Sequence, residues 1–195
     1  MMYNIDGDFM KIEFLFKLLM SDIPSRNLMV FEKELFEMIP ELETCKGFDQ
    51  NNEWHVYDVY QHILCVIDNV PKDLPLRLAA LFHDVGKPLT YTEDENGVGH
   101  FYGHWVESQR IFDEFAEKYN IDDGLSKFVS NLIFYHDKNV DKMSDEEKQE
   151  IKQIFGNDGL KKLFEFKRAD LLAQNKKFHY VLKNIDEQEN KLFLK

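Results

Sequence analysis

Cysteine, proline, glycine and long apolar runs are all scarce in this chain of 195 residues. Its two cysteines, Cys45 and Cys65, lie in neither a CxxC nor a zinc-ribbon spacing, so we expect two reduced thiols in a cytoplasmic protein. No stretch reaches the roughly 18 consecutive apolar residues of a membrane span. The first eight residues contain no basic segment leading into an apolar run, so secretion is disfavoured as well.

Basic residues are also in short supply, with 24 Lys and Arg against 36 Asp and Glu and a formal net charge of -12. Nucleic-acid binding draws on clustered basic side chains, so the charge disfavours extended binding of nucleic acid but remains compatible with a small anionic substrate. Hydrophobic residues make up 44% of the chain. A chain of this length buries roughly 70% of its unfolded surface. We therefore expect one globular domain over residues 1–195.

Three common catalytic signatures are absent from the sequence: a Walker loop, a GxSxG elbow and a dinucleotide-binding glycine fingerprint. Their absence disfavours ATPase, serine-hydrolase and dehydrogenase functions.

Apolar residues recur at helical spacing through most of the chain, and the prolines and glycines fall mostly between these segments. This pattern predicts an all-α domain of about nine helices. They run approximately over residues 9–20, 25–38, 54–70, 75–85, 104–119, 124–135, 144–155, 158–174 and 177–194. The longest predicted loop, 87–103, is compatible with a short hairpin at Asn96-Gly97, and long loops in compact domains are often functional.

Two acidic positions fall where the pattern predicts burial. His83 and Asp84 directly follow the apolar run 78–82, and Asp170 shares a predicted helical face with Phe166. A buried carboxylate is costly unless it is paired or bound to a metal. A helix-end cap for Asp84 and a buried ion pair for Asp170 are the alternatives to metal binding.

Several histidines stand at positions that could face a shared cleft. His55 and His62 lie two turns apart on the predicted third helix, while His104 opens one helix and His136 closes another. Each histidine alone is equally compatible with a packed or solvated residue. Together, four imidazoles and two carboxylates suit Mn, Fe, Ni, Co, Zn or Mg ions, and without cysteine they favour a catalytic centre over a structural zinc site. The candidate ligands are His62, His83, Asp84, His104, His136 and Asp170.

The order His62, His83-Asp84 and Asp170, with the doublet inside LFHDVGKP (81–88), resembles the HD-domain metal-dependent phosphohydrolases. In particular, the chain is similar to the HD domain of bacterial CCA-adding enzymes, the tRNA nucleotidyltransferases. The matching segments are Ile39-Pro40-Glu41-Leu42, His55 to His62 with Asp58-Val59, Phe101-Tyr102-Gly103-His104 with Ser108, and Arg168-Ala169-Asp170. The resemblance covers residues 25–174, leaving 1–24 as a helical extension and 175–195 as a C-terminal helix.

The resemblance implies an all-α metal site whose core ligands are His62, His83, Asp84 and Asp170. His104 and His136 fall where family members with two metals place further histidines, so one or two ions are implied. No GYP triplet is present and no acidic pair follows the doublet, which disfavours cyclic-di-GMP and alarmone hydrolases. Residues 1–40 have no pattern of a nucleotidyltransferase head, so we expect no nucleotide addition.

We expect a metal-dependent phosphohydrolase that acts on a nucleotide, a phosphomonoester or a cyclic phosphodiester. Asp84 is the candidate ligand that also orients or deprotonates the attacking water, and it would bridge the two ions if a second metal is bound. Lys87 is the candidate phosphate-binding and catalytic cation, with Lys138 and Arg168 as helpers, although a solvated loop lysine is the alternative for Lys87. Two other functions stay open: a non-catalytic metal- and nucleotide-binding module, and an RNA-end 2',3'-cyclic phosphodiesterase or phosphatase related to tRNA processing.

Overall fold

The computed structural model of the chain describes residues 5–193, without the side chains of residues 5, 6, 8 and 9. Its α-helices are α1 (Ile5–Leu19), α2 (Pro24–Val30), α3 (Glu32–Met38), α4 (Pro40–Cys45), α5 (Val59–Asn69), α6 (Leu74–Phe82), α7 (Lys87–Thr90), α8 (His104–Lys118), α9 (Asp123–Tyr135), α10 (Asp145–Ala173) and α11 (Leu182–Phe193). Two 3-10 turns span Val140–Lys142 and Lys176–Val181, and β1 (Thr92–Glu93) pairs antiparallel with β2 (Gly99–His100). The predicted all-α class is confirmed.

Helix α6 lies at the centre of the fold, where it contacts α1, α5, α8, α9 and α10. Every residue from Leu76 to Phe82 is buried, including the apolar run 78–82 for which the sequence predicts burial. Asp73 caps the helix by accepting a hydrogen bond from the Leu76 N–H. Because α6 ends inside the core, the residues that follow it, His83 and Asp84, enter the interior of the protein.

Helix α5 begins later than the sequence predicts. The Asp58 carboxylate accepts a hydrogen bond from the Gln61 N–H at 2.7 Å and caps the helix, which therefore starts at Val59 rather than at residue 54. His55 consequently lies in the loop of residues 46–58 and not on the same helix as His62, so the prediction that the two lie two turns apart on one helix is wrong. The loop nevertheless folds back and places the two imidazole ring centres 5.3 Å apart.

Other helix bounds differ from the prediction for local reasons. The predicted helix over 25–38 is interrupted at Phe31, and α4, which begins with Pro40, was not predicted. The predicted helices over 144–155 and 158–174 form α10, with the non-helical residue Gly156 (φ 58°, ψ -176°) between them. The predicted 87–103 loop contains α7 and the β1–β2 hairpin. The last predicted helix opens as a 3-10 turn, and its end at residue 194 lies outside the described residues.

Gly86 allows helix α8 to pack directly on the turn that follows α6. A Cβ at this position would lie 2.7 Å from the His104 carbonyl oxygen and 2.7 Å from the Ser108 nitrogen. The Gly86 N–H also donates a hydrogen bond to Ser108 Oγ at 2.9 Å. This close approach brings the first residue of α8, His104, next to Asp84.

None of the helices in the described part of the chain combines the length and the apolar character that a membrane crossing requires. Cys45 is buried and Cys65 half-buried, and both are free thiols.

Candidate metal centre

The six candidate ligands converge although they come from widely separated parts of the chain. His62 lies on α5, His83 and Asp84 follow α6, His104 opens α8, His136 follows α9 and Asp170 lies on α10. Five of these residues are no more than 5% exposed, and the Asp170 side chain is 17% exposed. The helical packing therefore assembles a polar cluster in the interior of the domain.

Asp84 stands at the middle of this cluster, and its two carboxylate oxygens face different histidines. Oδ2 lies 3.3 Å from the Nε2 atoms of both His62 and His83. Oδ1 lies 3.3 Å from His104 Nε2 and 3.9 Å from His136 Nε2. One carboxylate thus connects two pairs of imidazoles.

The pair His62 and His83 has a second carboxylate partner, Asp170. Asp170 Oδ1 lies 2.9 Å from His62 Nε2 and 3.9 Å from His83 Nε2. We call His62, His83 and Asp170 the acidic side of the cluster, and His104 and His136 the histidine side. Asp84 belongs to both sides.

Backbone carbonyls fix the orientation of three imidazole rings. The Nδ1 atoms of His83, His104 and His136 lie 2.7–2.9 Å from the carbonyl oxygens of the residues three positions earlier, which are Ala80, Phe101 and Ile133. A carbonyl can only accept, so each Nδ1 carries a proton and each Nε2 points into the cluster, the arrangement typical of metal-binding histidines.

The histidine side would be electrostatically unfavourable without a cation. The Nε2 atoms of His104 and His136 lie 3.3 Å apart, and in the neutral rings both would present lone pairs to each other. Two nitrogen or oxygen ligands about 2.1 Å from one ion lie roughly 3.0 to 3.4 Å apart in octahedral or tetrahedral sites. The measured separations and the mixed nitrogen and oxygen donors therefore fit a divalent cation.

Two groupings satisfy the geometry of a metal site on their own. The ligand atoms of His62, His83 and Asp170 all lie within 4.8 Å of one another, as do those of His83, Asp84 and His136. The residues present can therefore hold a divalent metal ion, and the two groupings share His83.

The electrostatics hold the carboxylates ionised. Burial raises the pKa of Asp84, but the charges of His83 and Lys87 and hydrogen bonds from His104 and His83 outweigh burial and hold that pKa well below its ordinary value. Burial likewise raises the pKa of Asp170, and His62 and His83 outweigh it to give a lowered pKa. Burial, followed by the charges of His83 and His104, lowers the pKa of His136. Anionic carboxylates and a neutral imidazole are the forms that bind metals.

His83 responds differently because it lies between both carboxylates. Burial lowers its pKa, but the nearby Asp84 and Asp170 outweigh burial and raise it. Only the deprotonated ring binds a metal, so a bound cation at Nε2 would compete with protonation of His83.

Lys87 is buried rather than solvated, so the alternative of a solvated loop lysine is wrong. Its Nζ lies 2.7 Å from Asp84 Oδ2, 2.7 Å from Gln50 Oε1 and 3.4 Å from His55 Nε2. The 46–58 loop supplies both Gln50 and His55. Sequence reasoning missed Gln50 because a single glutamine in a polar loop carries no recognisable signal.

The other two predicted helper cations lie elsewhere. The Arg168 guanidinium bonds Asp186 and Glu189 on α11, so the structure does not bring it to the cluster. The Lys138 Nζ lies 4.9 Å from the ring centres of both Trp105 and Phe134, beside the cluster rather than within it.

A cavity of about 620 Å³ opens onto the cluster. Asp84, His104, His136 and Asp170 form its polar floor, and its walls include several aromatic residues. These are Trp54, Phe101, Tyr102 and Trp105.

An adjoining groove of about 340 Å³ runs towards α11 and shares Asp137 with the cavity. Sequence reasoning missed Asp137, an exposed residue whose pKa is raised because the surrounding protein partly removes its carboxylate from water.

The structure is thus a helical domain with a histidine–aspartate doublet at the centre of a convergent ligand cluster. The family model described as "HD domain" matches residues 54–174, and the chain belongs to this family. Membership of the HD-domain family assigns the chain to the metal-dependent phosphohydrolase superfamily.

Several curated relatives, which share one name, match the chain over part of its length. A "Multifunctional CCA protein" of Herminiimonas arsenicoxydans is 33% identical over 109 residues, which are 53% of this chain and 26% of that protein. A protein of the same name from Burkholderia mallei (strain SAVP1) is 37% identical over 78 residues, 37% of this chain and 19% of that protein. The matched region covers about a quarter or less of these relatives. The resemblance predicted from the motifs is confirmed.

Proposed function

We propose that this chain hydrolyses a small phosphorylated compound and that Asp84 joins two divalent-cation positions, one on each side of the cluster. The observation that carries this proposal is the division of the Asp84 carboxylate, with Oδ2 facing His62 and His83 and Oδ1 facing His104 and His136. Pairs of divalent ions a few ångströms apart are a recurrent device for phosphoester hydrolysis.

When bound, a divalent cation supplies a water whose pKa is lowered towards ~7 and polarises phosphoryl oxygens. The residues of the chain have complementary roles. Asp84 orients the attacking water. Lys87 supplies positive charge at the cavity wall, where a phosphoryl group gains negative charge during the reaction. The buried surroundings strengthen both interactions because they exclude bulk water.

The cavity also supports a nucleotide as the substrate. Tyr102 is 76% exposed and lies parallel to the His100 imidazole, with ring centres 5.3 Å apart. Its outer face is available at the wall of the cavity that also contains Trp105. Aromatic faces of this kind hold nucleobases by stacking. We propose that the phosphate of the nucleotide binds at the ligand cluster and that its base stacks at this wall.

A second candidate is the hydrolysis of a 2',3'-cyclic phosphate or a phosphomonoester at an RNA end. The similarity to proteins named Multifunctional CCA protein favours this candidate. The net charge of -12 disfavours an extended RNA interface, so this reaction would be limited to the terminal nucleotide.

Metal analysis followed by a substrate panel tests the proposal. The purified protein would be stripped with a chelator, reloaded with Mn, Ni, Co or Mg, and assayed with nucleoside monophosphates, 2',3'-cyclic nucleotides, an RNA with a cyclic-phosphate end and simple phosphomonoesters. We expect turnover only after reloading, and none in the Asp84→Asn variant. Metal binding without hydrolysis of any compound in the panel would favour a non-catalytic binding module, and failure to bind metal would contradict the proposal outright.

A further inference from the structure

Lys167 is a buried lysine on α10 that the proposed chemistry does not use. It is 9% exposed and stands three residues before Asp170, so the two side chains leave neighbouring positions on one face of the helix. Burial lowers the pKa of Lys167 to about 8. A buried ammonium group is costly unless its three protons find acceptors.

Three backbone carbonyls, at the end of α9 and in the turn that follows it, accept these protons. The Lys167 Nζ lies 3.4 Å from the Tyr135 oxygen and 2.8 Å from the Lys138 oxygen, and it also bonds the His136 oxygen. The last carbonyls of a helix have no partner within the helix, and they form the negative end of its dipole. Lys167 therefore caps α9 from a different helix and satisfies several carbonyls at once.

The same helix end carries a candidate metal ligand. His136 follows α9 directly, and its ring is oriented by the hydrogen bond from Nδ1 to the Ile133 oxygen. Lys167 thus bonds the backbone of the same turn that carries the His136 ring, which faces Asp84. Lys167 also links that turn to α10, which carries Asp170 on the acidic side.

We propose that Lys167 is a positioning residue for the histidine side of the metal centre, where it fixes His136 for the second cation. This inference rests on the two-cation site that we proposed above. Removal of the ammonium group should weaken binding of the second ion and leave the first, bound by His62, His83 and Asp170, nearly unchanged. Groups that orient metal ligands typically affect metal affinity by about 10- to 100-fold.

Calorimetric titration with Mn²⁺ tests the inference without depending on turnover. In Lys167→Met, which keeps the apolar stem, we expect the second Kd to rise by about 10-fold or more and the first by less than about threefold. The matched control is Lys162→Met on the same helix, where Lys162 bonds Asp73 Oδ2 at 2.6 Å far from the cluster. This control should leave both Kd values within about twofold of the wild type.

Lys167→Arg provides a second variant because loss of a buried cap can prevent folding. Arginine keeps the charge and several donors, so the Lys167→Arg variant should fold and should bind the second ion more tightly than Lys167→Met does. If Lys167→Met is unfolded, the comparison is with the wild type, and the second Kd of Lys167→Arg should then rise by less than about tenfold. Equal weakening of both ions in a folded variant, or unchanged affinity for both, would overturn the inference. A wild type that binds a single ion would overturn both this inference and the two-cation part of the proposed function, whereas a wild type that binds no ion would overturn the proposed function as a whole.

Discussion

The two sides of Asp84 offer a cation very different electrostatic environments. The acidic side combines His62 and His83 with the ionised Asp170, whereas the histidine side adds only the imidazoles of His104 and His136 to the shared carboxylate. Negative charge among the ligands increases the affinity for a divalent ion. We therefore expect a tight ion on the acidic side and a weaker ion on the histidine side, whose binding depends more on how accurately the ligands are positioned.

The difference also reflects how the fold supplies the ligands. The acidic side comes from α5, α6 and α10, which pack against one another in the core. The histidine side comes from the ends of α8 and α9, which are held by the close approach at Gly86 and by Lys167. Helix ends are more easily displaced than helix interiors, so the histidine side is the part of the centre that a distant change can disturb.

Asp84→Asn should disrupt both cation positions together because Asp84 serves both sides of the cluster. We expect kcat/KM to fall by at least about 10³-fold and both ions to bind weakly, since the shared anion and the water-orienting group are lost together. Activity with the best substrate of the panel and Mn²⁺ titration would be measured on the same preparation. Asp113→Asn, a change on α8 away from the cluster, is the control, and a fully active Asp84→Asn variant would place the chemistry elsewhere.

Asp170→Asn and His136→Gln should separate the two sides. Loss of the Asp170 charge should raise the Kd of the tighter ion by at least about tenfold, whereas His136→Gln should weaken only the second ion by a similar factor. Each variant would be titrated with Mn²⁺ and its fold checked by circular dichroism. If both variants weakened the same single binding event, the cluster would hold one ion and the two-sided description would be wrong.

Lys87→Ala should reduce activity while sparing the metal. A charge-assisted contact is worth about 1.5 to 3 kcal/mol, which corresponds to a decrease in kcat/KM of roughly 10- to 100-fold. Metal stoichiometry should stay the same because a protonated lysine is not a ligand. Lys142→Ala on an exposed 3-10 turn is the control. Loss of metal from Lys87→Ala would show that Lys87 acts through its 2.7 Å contact with Asp84 rather than through the substrate.

Tyr102→Ala should have the smallest effect because Tyr102 lies on the wall of the cavity and not at the ligand cluster. Stacking on an exposed aromatic side chain contributes about 1 kcal/mol, so KM for a nucleotide should rise about fivefold with kcat nearly unchanged. Ribose 5-phosphate, which has no base, is the matched substrate and should show no change. Tyr102→Phe should retain the nucleotide KM, and an equal rise for both substrates would argue against a base at this wall.

The sequence predicts the acidic side of the cluster better than its surroundings. The fully apolar stretch before His83 and the apolar face around Asp170 make these acids conspicuous, because burial of an unpaired carboxylate is costly. The positions of Gln50 and His55 could not be predicted, since the Asp58 cap converts the expected helix start into a loop that folds back over the cluster. Lys167 was missed because its partners are backbone carbonyls, which leave no trace in the side-chain pattern.

Anomalous diffraction from crystals grown with Mn²⁺ tests the central claim most directly. We predict two peaks separated by the Asp84 carboxylate, one about 2.0 to 2.3 Å from ligand atoms of the acidic side and one at a similar distance from His104 and His136. The second peak should be the weaker at low Mn²⁺ concentration. A single peak at saturating Mn²⁺, or no peak within the cluster, would contradict the claim that Asp84 joins two cation positions.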